Sequence, residues 1–268
     1  MKKAISYALI FLGIQALSGV AVTLIPTITG HSELTQSPYM LIGTSLLSSI
    51  VILIVFIKAK WATPSKDYLI SKPWMAILWA IIAAIGAVIP STAIQELLPE
   101  LPNIVEEELG QVMNTHGGYF VVCLLVPLVE ELVFRGAILR VLLDIMKHSS
   151  ENFYNGKNGH WWMIAASTLF FAIAHLNPAQ MPHAFVIGLL LGWMYYRTGS
   201  IVPGVAFHWA NNTIAFFLFK LYPDPNTHLV DILGSQRHVA AAVVFSLFIL
   251  LPAIYQLNIW MRRPEKIR

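Results

Sequence analysis

The chain has 268 residues, 57% of them hydrophobic and 12% charged, with a formal net charge of +3. A soluble globular chain carries about 25% charged residues. So low a share, with several apolar runs of membrane length, excludes a soluble enzyme and a nucleic-acid-binding protein and indicates a polytopic membrane protein. The single cysteine, Cys123, excludes an intramolecular disulfide and any cysteine-based zinc site.

In chain order, the first apolar run is predicted as a helix from Ile5 to Leu24, ending before Pro26. Lys2 and Lys3 precede it, but the stretch exceeds the 7–15 residues of a signal-peptide core and further spans follow, so it reads as a retained membrane helix. The second span is predicted over Tyr39–Ile57 and the third over Trp74–Ala93, bent near its end by Pro90. Between them lie Lys58, Lys60, Lys66 and Lys72. The acidic segment Gln95–His116 places Leu97, Leu98, Leu101, Ile104, Val105, Leu109 and Val112 as an amphipathic surface helix would.

The fourth span, Gly118–Met146, is longer than the roughly 20 residues that cross a bilayer. A polar loop runs from Lys147 to His160. Further spans are predicted over Trp161–Leu176, stopped by Asn177-Pro178, over Ala184–Tyr196, over Pro203–Leu221 and over His238–Met261. A basic tail, Arg262–Arg268, closes the sequence. The expected fold class is therefore all-α: a polytopic membrane helix bundle of about eight transmembrane helices. Two of the spans are short, so seven or nine remain open. Residues 1–268 read as a single integral membrane domain without internal repeats.

Basic residues concentrate at the N-terminus, in alternate loops and at the C-terminus, while the first, third and fifth loops have none. By the positive-inside rule this alternation places both termini in the cytoplasm of a multi-pass cell-membrane protein.

The polar residues inside the spans are few. Glu130, Glu131 and Arg135 sit within six residues of the fourth span. A charge at a helix centre costs roughly 2.5–3.5 kcal/mol or more, so such residues must face one another, other helices or water. Glu131 and Arg135 are four apart and stack on one side, where they can pair. Glu130 lies about 100° around the helix from Glu131 and need not share the arginine. Two adjacent carboxylates in different settings can then divide into a fixed ion and a proton acceptor. Phe171 and His175 are four apart on the fifth span, as are His208 and Asn212 on the seventh, where Asn211 adds a second carboxamide. His183 stands at the start of the sixth. Two carboxylates, two imidazoles and a carboxamide on three spans are what a hydrolytic site needs. Taken singly, the histidines and asparagines also suit interhelical hydrogen bonding, and Cys123 suits packing.

The sequence Glu130-Glu131-x-x-x-Arg135, then Phe171-x-x-x-His175, then His208-x-x-x-Asn212, resembles the CPBP intramembrane proteases. These comprise the type II CAAX prenyl endopeptidases and the bacterial Abi-type bacteriocin-processing or self-immunity proteins. The resemblance covers about residues 118–216 and shows no departure at a motif position. It implies an intramembrane endopeptidase acting without a covalent intermediate on a membrane-associated protein or peptide. Glu130 would activate water, and His175 would bind that water and move its proton. His208 and Asn212 would stabilise the oxyanion, while Glu131 and Arg135 would form a structural ion pair. No cofactor is expected on this reading.

Zinc is the rival, with Glu130, His175 and His208 as three ligands, although no His-Glu-x-x-His spacing is present. A transporter using intramembrane Glu, Arg and His as a relay, and a non-catalytic immunity scaffold, are the competing functions.

Overall fold

The computed structural model describes residues 1–63, 65–148, 158–224 and 227–261. Among these the chain is all-α, with no strand. The elements are α1 (Lys2–Ile28), α2 (Pro38–Lys58), the short α3 (Lys66–Ile70), α4 (Trp74–Glu96) and α5 (Glu106–Asn114). A central helix follows, containing α6 (Val126–Glu130) and α7 (Arg140–His148). Then come α8 (Gly159–Ala174), α9 (Met181–Thr198), α10 (Val202–Leu221), the short α11 (Leu229–Leu233) and α12 (Gln236–Trp260).

Helices stand at all eight predicted span positions, and four of them, α1, α2, α4 and α12, are long and apolar enough to cross a membrane by length and composition. The central helix, α8, α9 and α10 fall short of that standard. The central helix carries six charged residues, Glu130, Glu131, Arg135, Arg140, Asp144 and Lys147, and α8 is apolar but has only 16 residues. This division has a physical basis. Only 17% of the apolar window of α1 and of α12 is buried inside the protein, which leaves those helices to face lipid. Every residue of the central helix from Glu131 to Leu139 is buried, so the protein itself surrounds the polar interior.

Several boundaries differ from the sequence reading. α1 continues through Pro26 to Ile28; a proline in the last turn costs less than one at mid-helix, because few hydrogen bonds remain to be broken. α4 runs through Pro90 as expected and continues past Ala93 to Glu96. Within the acidic segment Gln95 and Glu96 end α4 and a separate helix covers only Glu106–Asn114; Pro99 and Pro102, close together, disfavour helix between the two. Residues 97–105 form an exposed irregular strap instead. The loop after α10 contains α11, whose N-terminus is closed by a reciprocal His228–Asp231 capping box. Most of the polar loop after Lys147, at residues 149–157, and the tail 262–268 lie outside the described residues.

The central helix departs most. A single α-helix was expected, but Phe120–Leu125 and Glu131–Leu139 are wound as π-helix on either side of α6. Pro127, which has no N–H, stands at the start of α6 and interrupts the ordinary ladder there. Wider turns of this kind release carbonyls for other partners. Ser167 Oγ of α8 donates to the Phe134 carbonyl at 2.7 Å, and Asn212 Nδ2 of α10 donates to the Val122 carbonyl at 3.1 Å. Both bonds fasten a neighbouring helix to the centre.

Lipid tails are as apolar as the side chains, so helices associate here through close packing and polar ties. α4 presents Ala76, Ala80, Ala83, Ala84 and Ala87 as a buried face of small residues. A Cβ on Gly86 would come within 2.6 Å of the Leu250 backbone nitrogen, so α12 lies directly on α4. α9 uses Gly188 and Gly192 in the same way. A Cβ at Gly188 would meet Thr168 Cγ2 at 2.6 Å, and one at Gly192 would meet Ile164 Cγ2 at 2.7 Å. This spacing lets α8 approach α9 and brings the end of α8 over the central helix.

Candidate active site

The site is built around a buried guanidinium. Arg135 is 1% exposed, and its Nη1 donates to Glu131 Oε1 at 2.9 Å. Its Nη2 donates to the Gly188 carbonyl at 3.3 Å. The Phe171 ring centre lies 4.2 Å from the guanidinium carbon, a cation–π contact in a desolvated setting. Arg135 therefore joins the central helix, α8 and α9. Gly188 admits it, since a Cβ there would stand 3.1 Å from Nη2 as well as against Thr168.

Phe171 is the hub of the aromatic contacts. Its ring meets Phe134, His175 and His208 edge-on, with centroids 5.3, 4.8 and 5.9 Å away. The ring thus touches the arginine and both imidazoles.

The two glutamates sit in different surroundings. Glu131 is 0% exposed and is held by Arg135 and by His208, whose Nδ1 is 3.3 Å from the same Oε1. Its other oxygen, Oε2, has no hydrogen-bond partner among the described residues and lies where a Cβ on Gly204 would approach to 2.6 Å. The carboxylate therefore rests against the first turn of α10, where a helix N-terminus favours negative charge. Glu130 is 15% exposed, and its Oε2 faces His208 Nε2 at 3.7 Å, too far for a direct hydrogen bond. One imidazole thus stands between the two carboxylates.

His175 lies just past the last residue of α8. Its Nδ1 is 2.9 Å from the Phe171 carbonyl. A carbonyl only accepts, so the proton is on Nδ1 and the Nε2 lone pair is left for another donor. On α10, Asn212 Nδ2 uses one hydrogen on the Val122 carbonyl, and the amide retains a second. Asn211 turns instead toward α9, with Nδ2 at 3.5 Å from His183 Nε2. Cys123 is buried beside α10, its Sγ 3.5 Å from the Asn212 carbonyl.

Among the described residues no group of three or more His, Cys, Asp or Glu side chains is placed to hold a metal ion. Glu130 and His208 approach each other, but His175 does not complete a ligand set with them.

Three features escaped the sequence reading. Phe171 was read as a motif position without a task. Gly188 was one glycine among many; its signal was the Gly-x-x-x-Gly spacing with Gly192. Asn177 was read only as a helix breaker, yet it is fully buried and hydrogen-bonded at both ends of its carboxamide.

Residues 114–214 match the family model described as type II CAAX prenyl endopeptidase Rce1-like. This supports the family read from the three motifs, and with it an intramembrane endopeptidase of the CAAX-protease type. No curated protein and no solved structure matches.

Proposed function

We propose that this chain hydrolyses a peptide bond of a membrane-associated protein or peptide with a water activated by Glu130, a reading supported by the family match over residues 114–214. The observation that carries this reading is the unequal placing of the two glutamates. Glu131 is locked between Arg135 and His208, whereas Glu130 is partly exposed and, among the described residues, has only His208 nearby, at 3.7 Å.

In this mechanism Glu130 takes a proton from water while the His175 Nε2 lone pair accepts the water's second hydrogen. The hydroxide adds to the scissile carbonyl carbon, and its electron pair moves to the carbonyl oxygen. His208, with Nδ1 against Glu131 Oε1, offers Nε2–H to that oxyanion, and the second Asn212 hydrogen adds a further donor. Glu130 then returns its proton to the departing amine as the C–N bond breaks. No covalent intermediate forms. The alternation of loop charges supports a cytoplasmic position for both termini.

The test is substrate capture. Glu130→Gln is expected to fold, reach the membrane and retain a polypeptide that mass spectrometry identifies and that the wild-type protein cleaves. A Glu130→Gln protein that cleaves that polypeptide at the wild-type rate would overturn the assignment.

A further inference from the structure

The geometry points to Asn177 as a positioning residue for His175, acting through the strap of residues 97–105. This rests on the role proposed above for His175. α8 ends at Ala174, and the chain must turn at once to enter α9. Leu176 makes that turn with φ at 51°, in the left-handed region. A non-glycine residue there is strained, and the surroundings must hold it in place. Pro178, next but one, gives no backbone donor to the turn. The turn begins at the residue after His175 and so bounds the backbone that carries the ring.

Asn177 is 0% exposed, and both ends of its carboxamide are used. Nδ2 donates to Asn103 Oδ1 at 2.8 Å, and Oδ1 accepts from the Ile104 backbone N–H at 3.1 Å. Two more bonds run alongside. Ala179 N–H donates to the Pro102 carbonyl at 3.2 Å, and Gln95 Nε2 donates to the Ala179 carbonyl at 3.1 Å. The strap is anchored beyond this contact as well. Asn103 Nδ2 donates to Glu106 Oε2 at 3.0 Å, and Leu229 N–H donates to Glu96 Oε1 at 2.7 Å. An exposed segment from the far side of the sequence thus fixes the backbone two residues after His175. Losing the Asn177 carboxamide would leave the Ile104 N–H without its acceptor and the Leu176 turn without its tie.

The strap therefore belongs to the reaction machinery at one remove, aiming His175 Nε2 at the water. Displacement of a positioned group by about 1 Å can cost on the order of 100-fold in rate. The experiment compares Asn103→Ala, Asn177→Ala and the double variant in the purified full chain. The readouts are kcat and KM on the captured substrate and hydrogen exchange across residues 173–181. Leu97→Ala, at an 85% exposed strap position outside the tie, is the control.

The expected result is a fall in kcat of about tenfold or more in each single variant with KM little changed. The double variant should be no worse than Asn177→Ala, exchange should be faster after His175, and the control should leave kcat intact. Asn103 lies on the exposed strap, so its variant decides the matter if Asn177→Ala does not accumulate. Unchanged kcat or unchanged exchange in Asn103→Ala overturns the inference, as do losses that multiply in the double variant. If the wild-type protein cleaves nothing, the proteolytic reading fails, and the exchange measurement still decides whether the strap holds the turn.

Discussion

The Arg135 guanidinium stands 4.2 Å from the centre of the Phe171 ring, and that ring also meets both His175 and His208. One side chain thereby touches the arginine of the fixed ion pair and both imidazoles assigned to water and oxyanion. A desolvated cation–π contact contributes about 2 kcal/mol. Phe171→Leu keeps an apolar residue but loses the ring. It is expected to lower the thermal midpoint of the detergent-purified protein and to depress kcat, while Phe171→Tyr loses less of both. Equal behaviour of the two variants would show that the ring face contributes nothing.

The two glutamates give a contrast. Glu131→Gln leaves a buried arginine without its counter-charge, and breaking one side of a buried pair costs about 3–5 kcal/mol. Low accumulation and a reduced thermal midpoint are expected, together with loss of cleavage. Glu130→Gln should abolish cleavage in a protein that melts near the wild-type temperature. The reverse pattern, a stable dead Glu131→Gln and a fully active Glu130→Gln, would exchange their roles.

Gly188 offers a test of packing. A methyl group there meets Thr168 Cγ2 and the Arg135 guanidinium, and overpacking of this kind costs about 1–3 kcal/mol. Gly188→Ala should destabilise the protein and reduce activity. Adding Thr168→Ser removes the closest obstructing carbon and is expected to recover part of the thermal midpoint. No recovery would place the defect elsewhere than the α8–α9 contact.

Metal dependence separates the two water-activating chemistries. Purified protein is expected to hold less than one equivalent of zinc and to keep its cleavage rate after chelation. Stoichiometric zinc, with activity lost on chelation and restored on reloading, would establish the metal reading.

The spans were legible because apolar runs and loop charges are properties of composition. The positions of Glu130, His175 and His208 were legible because a few polar residues in such runs stand out against their cost. The π-helical winding around α6 was not, since Pro127 marks an interruption without stating how the backbone answers it. Nor was the route of the strap. Asn103 and Asn177 are far apart in sequence, and nothing local to either signals the other. The different surroundings of Glu130 and Asn212 depend on which neighbour arrives across the helix interface, and spacing within one helix does not contain that information.

The division between lipid-facing and interior helices bears on how the protein is made. The central helix, α8, α9 and α10 are too polar or too short to qualify as membrane spans by length and composition. Left alone in a bilayer, their charges and free carbonyls would lack partners. Three of the four strongly apolar helices, α1, α2 and α4, precede them in the chain. During synthesis the surrounding wall is therefore available before the polar centre emerges, and each interior helix enters a space already bounded by protein. Biogenesis of this site follows the order in which the sequence is written.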